Sequence, residues 1–173
     1  MASLRFRYSR TIMALKRSKP SKQAESAVKD LKTAISERAQ INKLLGITAR
    51  DTRSLMNKIE KGFAFDAFRY FQKSTGLQDP DLKEVIGIKP RTFDRRKTAN
   101  RFTTAESDRL VSIARIFVKA TTLFEGDKDA AGTWLTSPSR AFGNVTPLEM
   151  ARTETGTREV EKLIGRLEHG VFT

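Results

Sequence analysis

Residues 79–97 read Asp-Pro-Asp-Leu-Lys-Glu-Val-Ile-Gly-Ile-Lys-Pro-Arg-Thr-Phe-Asp-Arg-Arg-Lys. Asp79 with Pro80 supplies a cap and a first-turn proline, and Leu82, Val85 and Ile86 form the apolar face of a helix of about two turns. Gly87 then turns the chain. Ile88, Lys89 and Pro90 lead directly into a second short helix, whose proline again marks a first turn. Two short helices about a glycine-containing turn are the sequence signature of a helix-turn-helix. The second helix carries Arg91, Arg95, Arg96 and Lys97, with Phe93 as its anchor to the core. Arg91, Thr92, Arg95, Arg96 and Lys97 are then expected at the surface, where guanidinium groups meet guanine edges and phosphates, and Lys89 joins them at the helix start. The competing reading is a basic helix on a solvated surface. Turn chemistry and the charge of the surrounding chain together favour DNA contact.

Outward toward the N-terminus the pattern stays helical. From Ala24, Val28, Leu31 and Ile35 recur at steps of three and four, and Ile41, Leu44 and Leu45 continue an apolar face up to Gly46. A second helix reads from about Asp51, with Leu55, Met56 and Ile59 on one side and a basic stop at Lys58, Lys61 and Gly62. Phe65, Phe68 and Phe71 repeat every third residue, a spacing that belongs to a core rather than to a ligand site, and Gly76 with Leu77 closes their helix.

Outward toward the C-terminus, Thr103 and Glu106 form a capping box that opens a long helix bearing Leu110, Ile113, Ala114, Phe117 and Val118. It runs to Phe124, and Gly126 separates it from a short helix with Ala130, Ala131, Trp134 and Leu135. Thr146 with Glu149 makes a further capping box, and Pro147 takes its first helical position. The last helix follows Thr153-Glu154-Thr155-Gly156, places Val160, Leu163, Ile164 and Leu167 on one stripe, and stops at Gly170. Val171-Phe172-Thr173 either folds back as a staple or is covered by a partner. No stretch alternates with the period of a strand. The fold class is all-α: a helical N-terminal part with a helix-turn-helix, followed by a small helical domain. The expected divisions are a basic extension and helix over 1–50, the helix-turn-helix region over 51–104 and a C-terminal domain over 105–173.

Composition narrows the chemistry. With 173 residues, 11 Phe, 2 Tyr and 1 Trp, the chain can bury a real core. It has no cysteine and one histidine, so disulfides, thiolate nucleophiles and Cys- or His-rich metal sites are excluded. No nucleophile with an adjacent base, glycine-rich phosphate loop or ligand cluster can be assembled, so neither an enzyme nor a cofactor is expected. The net charge of +13 is uneven: residues 1–61 carry +10, residues 62–124 carry +5 and residues 125–173 carry −2. A positive field over the first two-thirds concentrates DNA or RNA, and a near-neutral last third gains nothing from phosphate. Residues 1–25 alone read equally well as a soluble flexible arm. With no signal-like apolar stretch, the chain is expected in the cytoplasm, without a membrane partner.

Residues 77–97, the helix from Ser107 to Phe124, Trp134-Leu135, Ser137-Pro138, Ala141-Phe142-Gly143, Thr146-Pro147-Leu148-Glu149, Thr153-Glu154 with Gly156, and Gly165-Arg166-Leu167-Glu168-His169-Gly170-Val171 resemble the Xre/MbcA/ParS antitoxin family. The likeness spans roughly residues 55–173, and its specific part is the C-terminal string. It implies an antitoxin encoded beside a RES-domain toxin, an NAD+-consuming enzyme related to ADP-ribosyltransferases. The C-terminal domain of such an antitoxin masks the toxin. Its helix-turn-helix binds the promoter of its own operon as a dimer, within a larger toxin-antitoxin complex. On that basis Trp134, Arg140, Asn144, Glu168, His169, Gly170, Val171 and Phe172 are the expected toxin-binding residues, with the last helix and its tail covering the entrance for NAD+. One departure stands out. Lys89 occupies a position where many relatives have Ser or Thr, so the usual side-chain acceptor at the start of the recognition helix is missing. Residues 1–50 extend beyond the likeness and suit either dimerisation or additional DNA contact. The alternative to an antitoxin is a stand-alone helix-turn-helix repressor, which leaves the elaborate C-terminal loops unexplained.

Overall fold

The structure, a computed structural model, describes residues 22–170. The arm expected before them and the Val171-Phe172 tail lie outside the described residues. The described residues fall into two units that divide after residue 36. Among the described residues the regular structure is helical, apart from an isolated antiparallel bridge between Ser139 and Val145.

In the first unit, residues 22–36 belong to α1 (Lys22–Leu45). The helical spacing of Val28, Leu31 and Ile35 is observed, and the three are 52%, 61% and 48% exposed. Periodicity fixes which side of a helix is apolar but not whether anything covers it.

In the second unit the order is α2 (Thr52–Lys61), α3 (Phe65–Thr75), α4 (Asp79–Ile86), α5 (Pro90–Ala99), α6 (Thr104–Leu123), α7 (Lys128–Thr136), a 3-10 turn over Arg140–Phe142, α8 (Pro147–Met150) and α9 (Glu154–Glu168). α6 is the axis, packing against α2, α3, α4, α7 and α9. Such a helix must be apolar nearly all round, and α6 buries Leu110, Val111, Ile113, Ala114, Ile116, Phe117, Val118 and Ala120. The capping box opens it as its letters predict: Thr103 Oγ1 accepts the Glu106 N–H, and a Glu106 carboxylate oxygen accepts the Thr103 N–H. The Ser107 hydroxyl, fully buried, accepts the Phe63 N–H and donates to the Thr103 carbonyl. It therefore satisfies a backbone donor that would otherwise be orphaned inside the core.

The aromatic stripe of α3 is core, as its spacing predicts. Phe65 and Phe68 meet Phe93 edge-on at 5.1 and 5.0 Å between ring centroids, and Phe65 stacks on Phe102 at 5.5 Å. Phe71 meets Phe117 of α6 at 6.2 Å. Two local expectations change. Asp79 does not cap α4; Gln78 is the N-cap, without a side-chain bond, and the Asp79 carboxylate instead pairs with Arg69 and Lys83 at 3.3 and 3.4 Å. Met56 of α2 is 54% exposed, while its neighbours Leu55 and Ile59 pack against the core.

Close backbone approach explains two glycines. Gly62 has φ 76°, and a Cβ there would sit 2.1 Å from the Phe102 carbonyl oxygen, where the Phe102 N–H donates to Phe63 O. Gly156 in the first turn of α9 lies against α8, and a Cβ would sit 1.8 Å from the Met150 carbonyl oxygen. Neither position has room for a side chain.

Candidate functional site

Two surfaces carry the residues that the sequence singles out. The first is α5. Gly87, at φ 78°, ends α4 in the left-handed conformation, and its N–H reaches the Glu84 carbonyl at 2.9 Å. Three residues later α5 begins at Pro90, with Lys89 as an N-cap that makes no side-chain hydrogen bond and no acidic residue in the first turn. The positive end of the α5 dipole is thus uncompensated by the protein, the arrangement that suits an external anion.

Phe93 sets how α5 lies. It is the one buried residue of the helix, seated against Phe65 and Phe68, with the Lys83 ammonium 4.3 Å from its ring centroid. Residues two positions either side of a buried helical residue point away from it, and Arg91 and Arg95 are accordingly exposed. Lys89 and Lys97 are exposed as well, and Thr92 is half-buried. Thr98, three residues beyond Arg95 and likewise exposed, shares that outward side; sequence reading missed it because the cations drew attention, although its spacing was the available signal.

Arg96 departs from the expectation of a surface residue. It lies three positions after Phe93 and therefore on the inward side. Its Nε donates to both Glu106 carboxylate oxygens, at 3.0 and 2.8 Å, and the two side chains are 18% and 13% exposed. Burial pushes the Glu106 carboxyl upward. The hydrogen bonds from Arg96 and Thr103, with the Arg96 charge, outweigh that and hold it below the ordinary 4.5.

The second surface is the C-terminal part. Trp134 of α7 is half-buried and tilted against Phe124 at 6.4 Å, so its ring is partly core. Arg140 and Asn144 are brought together in one tight loop: the Gly143 N–H donates to Arg140 O, the Asn144 N–H to Ser139 O and the Ser139 N–H to Val145 O. Asn144 adopts φ 68° there, and both Arg140 and Asn144 are exposed. The Thr146 and Glu149 capping box fixes the far end of the loop. The Glu149 carboxyl is lowered by the backbone and side-chain hydrogen bonds from Thr146.

Glu168, His169 and Gly170 lie at the end of α9, all exposed, with Gly170 at φ 67°. The loop and this helix end are held by separate hydrogen bonds, the His169 N–H donating to Gly165 O and the Gly170 N–H to Leu167 O. The inward stripe of α9 buries Val160, Leu163 and Ile164. Its other side lines an open groove of about 440 Å³ with Glu159, Lys162, Gly165, Arg166 and His169. Glu159, Lys162 and Arg166 were not singled out from sequence, although their spacing of three and four toward His169 marks one helix face. Among the described residues no cluster of three or more His, Cys, Asp or Glu could hold a metal, and no helix is long and apolar enough to cross a membrane.

Comparison with known proteins matches these surfaces in chain order. Residues 54–115 match the antitoxin Xre-like helix-turn-helix domain. Residues 119–170 match the antitoxin Xre/MbcA/ParS C-terminal toxin-binding domain. The chain is 37% identical over 130 residues to an Antitoxin Xre of Yersinia enterocolitica, covering 75% of this chain and 88% of that protein. It is 42% identical over 94 residues to an Antitoxin Xre of Photorhabdus laumondii, covering 54% of this chain and 64% of that protein. It is also 21% identical over 123 residues to a Prs ADP-ribosylating antitoxin of a Sphingobium strain, covering 66% of this chain and 77% of that protein.

Proposed function

From the premise that this chain belongs to the Xre/MbcA/ParS antitoxin family, we propose that it neutralises a RES-domain toxin that degrades NAD+, and that it represses its own operon through α5. Membership makes it an antitoxin with a helix-turn-helix and a toxin-binding domain, and not an enzyme.

Inhibition is steric. The outward side of α9 carries this reading: its inward stripe is spent on the core, and its opposite side lines the groove that ends at His169. The exposed end of α9, with Glu168, His169 and Gly170, plugs the toxin's mouth. Val171 and Phe172 extend that plug, and full burial of one Phe side chain is worth roughly 1.5–3 kcal/mol. Arg140 and Asn144, on a loop already closed by its own backbone bonds, add polar anchors at small entropic cost. Trp134, half-buried against Phe124, offers the exposed part of its ring as a further contact. The NAD+ assignment rests on the family likeness, and the name of the 21% identical Sphingobium relative refers to ADP-ribosylation.

DNA binding uses Arg91 and Arg95, flanked by Lys89, Thr92, Lys97 and Thr98. The promoter phosphates supply the anion that the uncapped start of α5 lacks. The acting form is a cytoplasmic homodimer, and the exposed stripe of Val28, Leu31 and Ile35 supplies a surface for self-association. A repressor without a toxin would leave the groove on α9 unused.

The test is co-expression of the full chain with the reading frame beside its gene, followed by co-purification and measurement of cellular NAD+. The complex is expected to form and NAD+ to be spared, and deletion of residues 168–173 is expected to release NAD+ loss. Unchanged protection by the truncated chain refutes the plug.

A further inference from the structure

Asn100, the C-cap of α5, accepts the Phe65 N–H at 3.2 Å, and two further anchors lie within the helix itself. One is Phe93 in its aromatic seat. The other is the ion pair between Arg96 and Glu106, one helical turn further along the same side. A single anchor would fix the depth of a helix but leave it free to roll. A second anchor one turn away sets the roll as well, and a shift by one residue, about 100°, would replace the whole outward set.

Glu106 is also bound from the other direction. One of its carboxylate oxygens accepts the Thr103 N–H at 2.7 Å while receiving Arg96 Nε at 2.8 Å. One carboxylate therefore closes the first turn of the central helix and grips the recognition helix. The single Nε–H of Arg96 is shared between both carboxylate oxygens, a three-centre and charge-assisted hold. It also removes a cation from the pool available to phosphate, since Arg96 is mostly buried and already neutralised.

Resting on the DNA-binding reading above, we propose that Glu106 is a positioning residue for DNA recognition. It locks the roll of α5 that presents Arg91 and Arg95, and it withholds Arg96 from the phosphate backbone. The partner chemistry is duplex DNA, and the role is specificity rather than raw affinity. Glu106 touches no DNA itself. Without its charge, Arg96 is left partly buried and unpaired, and its long side chain swings outward toward the nearest anion, which in the complex is phosphate.

The experiment measures binding of the full chain to a duplex from the region upstream of its own coding sequence and to a scrambled duplex of equal length, across a range of salt. Glu106→Gln keeps an acceptor for the Thr103 N–H while removing the charge, and Arg96→Met keeps the stem while removing the cation. Both are expected to lower the preference for its own duplex about tenfold, the order of one mismatched base pair. Only Glu106→Gln is expected to raise the salt slope, by about 0.9, as a freed Arg96 reaches one more phosphate. Thr103→Ala, which removes only the hydroxyl half of the cap, is expected to melt earlier yet keep the wild-type preference and slope. A merely structural role for Glu106 would make Glu106→Gln and Thr103→Ala behave alike, and that result overturns the proposal. So does an Arg96→Met chain whose salt slope falls by about 0.9, which would put Arg96 on phosphate in the wild type. A wild-type chain with no preference for its own duplex overturns the DNA reading itself, and this proposal with it.

Discussion

Gly156→Ala puts a single methyl group where the first turn of α9 passes the end of α8. The added Cβ would stand 1.8 Å from the Met150 carbonyl oxygen and 2.8 Å from its carbonyl carbon, with Thr153 Oγ1 at 3.1 Å. The obstacle is backbone, so no rotamer can relieve it, and α8 and α9 must part by more than an ångström. That motion pulls on the Gly156 N–H to Thr153 Oγ1 bond, on the Thr157 hydroxyl bond to Ala151 O, and on Val160 and Ile164 in the core. Overpacking typically costs about 1–3 kcal/mol, and an unyielding backbone contact places this case near the top, about 3 kcal/mol. At roughly 2–4 °C per kcal/mol for a chain of this size, Tm should fall by about 6–12 °C. Gly165→Ala in the same helix is the matched control. A Cβ there meets nothing within 4 Å. Replacing an interior helical glycine without a clash should stabilise by about 0.5–1 kcal/mol, raising Tm by about 1–4 °C. Thermal melts followed by circular dichroism at equal concentration test the pair. If both variants move Tm in the same direction by a similar amount, the close approach of α8 and α9 is not a constraint on the fold.

Arg95→Ala should weaken binding to the upstream duplex by about 1–3 kcal/mol if it reads a base, or lower the salt slope by about 0.9 if it meets a phosphate; an unshifted titration places α5 away from DNA. Leu31→Glu, on an exposed stripe, should leave Tm nearly unchanged while converting a dimer to a monomer in light scattering, and an unaltered mass removes α1 from the self-association surface. The Glu106 carboxyl lies below 4.5 in the folded chain, so its stabilising contribution is complete above 4.5 and is lost as pH falls through the folded value. The Tm gap between wild type and Glu106→Gln should therefore be constant from pH 8 to about 6 and narrow as pH falls below about 4.5, and a gap that does not narrow on acidification contradicts the ion pair. A fragment of residues 105–173 should show no cooperative melt, because it retains α6 without the helices that cover Phe117 and the turn that holds Ser107; a sharp transition would show that the C-terminal helices suffice.

Much of this architecture was legible because local rules and global packing agree. Thr103 with Glu106 and Thr146 with Glu149 announce their helices in four letters each, and the side chains close both boxes as written. Gly62, Gly76 and Gly87 mark the helix ends because each adopts positive φ. The failures share a cause, which is competition from beyond the local window. Asp79 carries the letter of a cap, yet Arg69 and Lys83 offer it charge, and the cap position falls to Gln78. Arg96 looks like one more cation on a basic helix until Glu106, ten residues on and across a loop, comes to face it. The groove on α9 is built from the side-chain stems of Glu159, Lys162, Arg166 and His169, so no pattern of hydrophobic letters could reveal it; it becomes visible only once the core has taken the other side of α9.

The two functions are not carried by two independent bodies. The helix-turn-helix match ends at residue 115 and the toxin-binding match begins at 119, and both limits fall inside α6. Its first turn holds Glu106 and through it α5, and its side chains pack with α2, α3 and α4. Its later turns hold α9, where Lys119 pairs with Glu161 at 3.2 Å. A helix buried on most sides cannot bend without opening its own core, so a displacement at one end is transmitted as a rigid motion rather than absorbed. On the proposed reading, a toxin seated on α9 and a promoter seated on α5 would lean on the same 20-residue helix. Each ligand can influence the other only to the extent that it prefers one setting of that helix, and any such preference must act equally in both directions.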